Sequence, residues 1–168
     1  EPDDYAAVVA ETVGDLGVHL TFEPGRVLVG NAGILVTSVI QVKETATKRF
    51  VVVDAAMNDF IRPTLYDAVH AAAPVNENSG SDTQNAEIVG PVCETGDVLA
   101  RNVQLPSLVE NDLLYLKSAG AYGAVMASSY NTRLPIPEIM VNHAEFSVIR
   151  PRPSFDELMS LDHMPDWL

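Results

Sequence analysis

A thiol and a carboxylate adjoin at Cys93 and Glu94, inside Gly90-Pro91-Val92-Cys93-Glu94-Thr95-Gly96-Asp97, the segment that holds the one cysteine of this chain. A structural cysteine ordinarily sits in an apolar run, because the thiol packs as a small hydrophobe. Here the neighbours are polar, and Pro91 and Gly96 bend the segment. A turn of that composition presents Cys93 and Glu94 outward, where proton transfer or polar recognition takes place. A thiol tucked under a strand end would use the same residues for packing alone.

Three further groups have the residue types for recognition. Glu23-Pro24-Gly25-Arg26 follows a predicted strand and precedes a helical turn, so it sets an acid and a base at a strand's carboxyl end, a common place for ligands in α/β architectures. A tight turn with a solvated ion pair would look the same. Arg62 and Tyr66 are four apart on a predicted helix, which brings a planar cation and a phenol onto one face suited to gripping a carboxylate. In Gly120-Ala121-Tyr122-Gly123 an aromatic ring lies between glycines, where backbone can approach a ligand closely.

Other chemistries have no support. Lys43, Lys48 and Lys117 fall at strand ends or in a turn, without the apolar shielding that activates an amine for Schiff-base chemistry. His19, His70, His143 and His163 show no metal-ligand spacing with one another or with Cys93. A phosphate-cradling Walker loop and a GxSxG elbow are both missing from the sequence.

The 168 residues, 47% of them hydrophobic and 20% charged, suffice for one sizeable core, or for one domain with a piece of another. A net charge of -13 argues against nucleic acid and anionic membranes as partners. A single cysteine closes no internal disulfide, so the cytoplasm is the default compartment. No apolar run reaches a bilayer's thickness, and Glu1-Pro2-Asp3-Asp4 has neither an initiator Met nor the character of a signal peptide. The expectation is a piece of a longer protein.

Periodicity predicts the elements that position these groups. Tyr5, Val8, Val9 and Val13 give an amphipathic helix over 3–15, and Val18 to Phe22 alternates like a strand. Val27 to Gly33 makes one or two helical turns. Ile34 to Lys43 and Arg49 to Asp54 form a hairpin. Pro63 opens a helix through about Ala72, with Leu65 and Val69 on its apolar side. Asn76 to Asn85 is a polar loop, and strands follow over Glu87–Val92, Asp112–Ser118, and a second hairpin, Glu138–Asn142 with Phe146–Arg150, around His143. Ser154 and Glu157 spell a capping box for a short helix ending near Leu161. Most of the chain is therefore an antiparallel β domain with short helices.

Taken in order, Glu23-Pro24-Gly25-Arg26, Asp54-Ala55-Ala56-Met57-Asn58-Asp59 with Ile61-Arg62-Pro63-Thr64-Leu65-Tyr66, the Cys93 segment, Gly120-Ala121-Tyr122-Gly123 and Ser129-Tyr130-Asn131-Thr132-Arg133 resemble the diaminopimelate decarboxylase family. The likeness runs over nearly the whole chain and matches the family's carboxyl-terminal portion. It implies the fold shared with alanine racemase and ornithine decarboxylases, a TIM-like barrel followed by a β-barrel or sandwich domain. Residues 1–26 would be the last helix and strand of the truncated barrel, and residues 27–168 the β domain.

The same resemblance implies pyridoxal 5'-phosphate as cofactor, although the family's cofactor lysine and phosphate loop precede the region present here. Glu23 would pair with the pyridine nitrogen, and Gly25 and Arg26 would line the phosphate and substrate side. An anion there favours the protonated, electron-accepting ring. Arg62 and Tyr66 would hold the substrate's distal carboxylate, Glu94 its distal ammonium, and Tyr122 both cofactor and substrate, while Cys93 would deliver the proton that replaces carbon dioxide. In relatives specific for ornithine the cysteine is followed by Asp; Glu94 here points to meso-diaminopimelate and lysine formation. The site would be shared across a homodimer, and this chain alone would be inactive. The alternatives are a related ornithine- or carboxynorspermidine-type decarboxylase, and a non-catalytic decarboxylase-like interaction module.

Overall fold

The computed structural model describes residues 2–77 and 82–167. Strands β1 (Leu35–Glu44) and β2 (Arg49–Val53) form the expected hairpin. Its turn is closed by Thr45, whose N–H donates to Lys48 O at 2.8 Å and whose hydroxyl oxygen accepts from Lys48 N at 3.0 Å. Alternation then decides which face is covered: Leu35, Thr37 and Val39 of β1 and Arg49, Val51 and Val53 of β2 point inward.

The remaining strands of this sheet are β3 (Ala72–Pro74), β4 (Gln84–Val89), β5 (Val98–Leu105) and β6 (Leu113–Leu116), in the order β3-β6-β1-β2-β4-β5. The outer strands β3 and β5 approach each other, so the sheet nearly closes into a barrel. Phe60, Ile88, Leu99, Leu105, Leu114 and Leu116 fill its interior with the inward valines. Full burial of such a side chain contributes roughly 1.5–3 kcal/mol. Arg49 is a buried charge among them; its guanidinium donates to Leu105 O and Pro106 O, satisfying carbonyls where β5 ends.

The mainly-β class with short helices stands as expected, with corrections in detail. One pairing, β2 with β4, is parallel, so the sheet is mixed rather than purely antiparallel. Strand β5 was not foreseen. Its two register shifts against β4 each insert an extra residue on β5, and Asn102 there has φ 55°, so the period-two pattern is broken. The helix expected from Pro63 to Ala72 stops early: α3 is Arg62–Tyr66, ended by Asp67 in the left-handed conformation. Val69, expected on an apolar face, is 97% exposed.

Helix α1 (Pro2–Val13) forms, but none of its residues is buried. Val18 to Phe22, read as a strand, is coil, because no described strand lies beside it to share hydrogen bonds; Phe22 instead meets Tyr5 edge-on at 6.1 Å. Helix α2 (Arg26–Val29) continues into a 3₁₀ turn, Gly30–Ala32, as the small residues suggested. Of the predicted Asn76–Asn85 loop, residues 78–81 lie outside the described residues, and its last two residues already belong to β4. The second hairpin, β7 (Glu138–Asn142) with β8 (Glu145–Arg150), turns at His143 as expected.

The capping box is present at the start of α4 (Phe155–Met159): the Ser154 hydroxyl accepts from Glu157 N, and Ser154 N donates to Glu157 Oε2 at 2.7 Å. The Ser154 N–H and, secondarily, the Ser154 hydroxyl, both donating to it, hold the Glu157 carboxyl below the usual range. The helix ends two residues before the expected Leu161.

Candidate functional site

Helix α3 is a single turn because Pro63 preorganises its start and Asp67 reverses the chain immediately after Tyr66. The Arg62 guanidinium lies 5.8 Å from the Tyr66 ring centroid and 5.7 Å from that of Tyr122. Two rings therefore frame one planar cation, which restricts where it points. Tyr122 reaches this place from a strained position, φ 55°. The loop that carries it presses against the α2 region: Ala119 N donates to Gly33 O at 2.8 Å and Gly120 N to Gly30 O at 3.1 Å. A Cβ at Gly120 would run into Val29 O, so glycine is required there.

That packing also brings Gly25 and Arg26 into the neighbourhood. A Cβ placed on Gly25 would lie 3.9 Å from the Tyr122 hydroxyl, and the Arg26 stem lies alongside Gly30. Gly25, Arg26, Arg62, Tyr66 and Tyr122, distant in sequence, thus share one ledge. Glu23 is exposed in the coil just before α2.

Cys93 and Glu94 are exposed on the loop between β4 and β5, as the bent segment suggested. Buried Asp97 organises this loop. Its carboxylate accepts from Val92 N and from Met57 N, both at 2.7 Å, so it closes the loop and ties it to the segment leading into α3. A Cβ at Gly90 would collide with that carboxylate. A second tie runs from the helix itself: Thr64 Oγ1 donates to Gly96 O at 2.6 Å. The Glu94 carboxylate accepts from Gly96 N at 3.3 Å. Among the described residues no hydrogen bond or ion pair joins Cys93 or Glu94 to Arg62, Tyr66 or Tyr122.

Asp97→Ala leaves a buried N–H, that of Val92, and a half-buried one, that of Met57, without an acceptor, the buried one costing about 1–3 kcal/mol. The expected outcome is a lower melting temperature together with faster hydrogen exchange in the Gly90–Val98 region. Unchanged exchange there would show that the loop holds its shape without the carboxylate.

A buried polar network lies behind the ledge. Asp59 accepts from Ala56 N at 2.9 Å and from Asn58 Nδ2 at 3.0 Å, and Arg133 stands 3.5 Å away. Arg133 Nε also donates to Asn58 Oδ1 at 2.8 Å, which docks the Ser129–Arg133 motif on the Asp54–Asp59 motif. Burial pushes the Asp59 carboxyl above its ordinary value of 3.8, with the Ala56 N–H and Arg133 opposing the shift. In the window between 3.8 and the raised value, the folded chain holds a proton that the unfolded chain has released. Stability from this group is therefore complete below the ordinary value and declines as pH rises through the folded one. Asp59→Asn removes that slope, so the variant's melting temperature is expected to gain on the wild type as pH is raised from about 4 to about 7. A constant difference across the range would mean that Asp59 titrates normally.

Three participants were not given roles by their sequence context. Asp97 and Thr64 lie inside motifs already singled out, and their side chains are the ties between those motifs. His70 was noted only for lacking metal-ligand spacing. It is buried beside Arg62, with Arg62 Nε donating to its Nε2 at 3.3 Å. Clefts of about 430 Å³, lined by residues such as Lys48, Arg49 and Glu87, and about 210 Å³, lined by Met57, Asn58, Ile61, Ser128 and Tyr130, share no lining residue with the ledge. The ledge is an open surface of this chain. No helix among the described residues is long and apolar enough to cross a membrane.

The chain is a nearly closed β sheet bearing an open arginine–tyrosine ledge and a cysteine loop pinned beside it. Residues 7–120 match the model of the pyridoxal-dependent decarboxylases, C-terminal sheet domain. The chain belongs to that family. It is 46% identical to diaminopimelate decarboxylase of Zymomonas mobilis over 98% of its own length and 38% of the relative's. Solved structures agree: diaminopimelate decarboxylase from Helicobacter pylori complexed with L-lysine aligns with a TM-score of 0.83 at 38% identity, covering 96% of this chain and 39% of that one. The enzyme from M. jannaschii aligns with a TM-score of 0.86 at 32% identity, covering 99% of this chain and 38% of that one. The chain thus spans about 38% of the length of the curated relatives it matches.

Proposed function

We propose that this chain is the carboxyl-terminal part of a cytoplasmic decarboxylase that converts meso-2,6-diaminopimelate to L-lysine and carbon dioxide, with residues 1–26 ending the barrel and 27–168 forming the β domain. The observation that carries the reading is the Arg62 guanidinium framed by Tyr66 and Tyr122, on a helix that also pins the Cys93–Glu94 loop through Thr64. A substrate with an amino-acid head group at each end needs an anion clamp and a cation acceptor at its far end. Arg62 and Tyr66 are the clamp; Glu94 is the acceptor. A diamine precursor such as ornithine has no use for the clamp.

The chain's donor set fits one edge of pyridoxal 5'-phosphate: Glu23 is an acid for the pyridine nitrogen, while Gly25, Arg26 and the nearby Tyr122 hydroxyl offer a small backbone and polar groups. Lys48 pairs with Glu87 at 2.6 Å, and the Lys117 ammonium lies over the Tyr115 ring. The resemblance implies that the covalent anchor is the family's cofactor lysine, which precedes the region present here. When bound, the cofactor supplies an electron-accepting ring that makes loss of carbon dioxide feasible. This chain's residues orient the far end of the substrate, keep the ring nitrogen's proton in place through Glu23, and deliver a proton from Cys93 Sγ to the carbon that lost the carboxyl group.

In this reading two copies associate, with Cys93 and Glu94 of each completing the other's site. Side-by-side turnover of meso-diaminopimelate, carboxynorspermidine and ornithine by the complete protein tests the substrate. Diaminopimelate is expected to lead the others in kcat/KM by at least about 10²-fold, the discrimination that a buried charge-assisted pair supports. Equal turnover of ornithine would sink the assignment.

A further inference from the structure

His70 forms a bridge that none of the site roles above requires. Its Nδ1 lies 2.9 Å from Lys117 O and its Nε2 lies 3.3 Å from Arg62 Nε. A carbonyl oxygen only accepts and an arginine Nε–H only donates. Both contacts are satisfied by a single form of the ring, the neutral imidazole with its proton on Nδ1. The ring is buried and meets Phe60 edge-on at 4.5 Å, so it has little freedom to turn.

The consequence falls on Arg62. A guanidinium can meet a carboxylate through its side, using Nε and one terminal nitrogen, or through its end, using both terminal nitrogens. His70 occupies Nε. Tyr66 and Tyr122 stand beside the cation at 5.8 and 5.7 Å. Among the described residues the hydrogen bond seen at this guanidinium is the one from Nε to His70, and no ion pair engages its terminal fork.

We infer that His70 is a positioning residue that holds Arg62 by its Nε so that the terminal fork meets the substrate's distal carboxylate end-on, making that carboxylate a requirement for tight binding. This rests on the clamp role proposed above for Arg62. Through Lys117 O, His70 also links Arg62 to the strand that leads into the Tyr122 loop, so the cation and its framing ring keep one geometry.

The test uses the complete protein, loaded with cofactor. His70→Phe keeps a ring against Phe60 but removes the acceptor; His70→Gln restores an acceptor near the Nε2 position. For His70→Phe, KM for meso-diaminopimelate is expected to rise about tenfold, with kcat within about twofold. The inhibition constant of cadaverine, a diamine of the same chain length that lacks the distal carboxylate, is expected to stay within about twofold, and His70→Gln to recover KM to within about threefold. An unchanged KM in His70→Phe, a His70→Gln variant no better than it, or an equal rise in the cadaverine constant overturns the inference. Nitrogen-15 NMR of the unmodified protein is an independent measurement, needing no variant to fold: the Nδ1-protonated neutral ring is expected, and a proton on Nε2 overturns the proposal. Arg62→Met separates the two layers. A wild-type KM in that variant removes the clamp role itself, whereas a raised KM there beside a normal KM in His70→Phe removes only the positioning role.

Discussion

Cys93→Ala in the complete protein is expected to lower kcat for lysine formation by about 10²–10⁴-fold, the usual contribution of a positioned proton donor, while KM for diaminopimelate changes little. The expectation starts from geometry. The thiol is exposed on a loop closed by Asp97 and pinned by Thr64, so it is both reachable and held. Removing Sγ takes away one atom that acts only after carbon dioxide departs, so ground-state binding should survive. Lysine production in deuterium oxide gives a second reading: with the donor missing, solvent reaches the carbon from either face and stereospecific labelling is expected to fall. A rate within about twofold of wild type would end the proton-donor role, because acid catalysis of this kind is worth far more.

Arg62→Met should lower kcat/KM for diaminopimelate by about 10²-fold, since it deletes a charge-assisted, two-point contact and leaves a substrate carboxylate facing two tyrosine rings. Methionine retains much of the side chain's apolar volume, so the loss reports charge and hydrogen bonding rather than a hole. The same pair of variants tests the shared site. If Cys93 and Arg62 serve different sites in a dimer, mixing and reassociating the two inactive variants gives half mixed dimers, each with one site carrying both defects and one intact. Recovery of about a quarter of wild-type activity is expected from this symmetry. No recovery, with dimer exchange verified by mass, would place both residues in the same subunit's site.

How much of this was legible in the sequence varies by element. The β1–β2 and β7–β8 hairpins were, because alternation and β-branched residues are local signals, and in β1 and β2 an inner face is buried against the core. The capping box was legible for the same reason: its two partners are three residues apart. Strand β5 was hidden by its own bulges, since each extra residue shifts the alternation that marks a strand. The residues of the ledge could be named from motifs. The contacts among Arg62, Tyr66 and Tyr122, and the tie from Asp97 to Met57, could not be derived from spacing.

His70 shows where local reasoning stops. An uninterrupted helix from Pro63 to Ala72 would separate Arg62 and His70 by about 12 Å along its axis; the observed nitrogens are 3.3 Å apart because Asp67 turns the chain back. By itself the sequence determined residue chemistry, hairpin pairing and the order of motifs, all consequences of groups a few positions apart. Only the tertiary structure decided the parallel β2–β4 pairing, the early end of α3, the burial of Asp97 and Asp59, and the contact of Arg62 with His70. Those depend on hydrogen bonds and excluded volume between segments tens of residues apart, 75 in the Arg133–Asn58 contact, and no periodicity encodes such a partner.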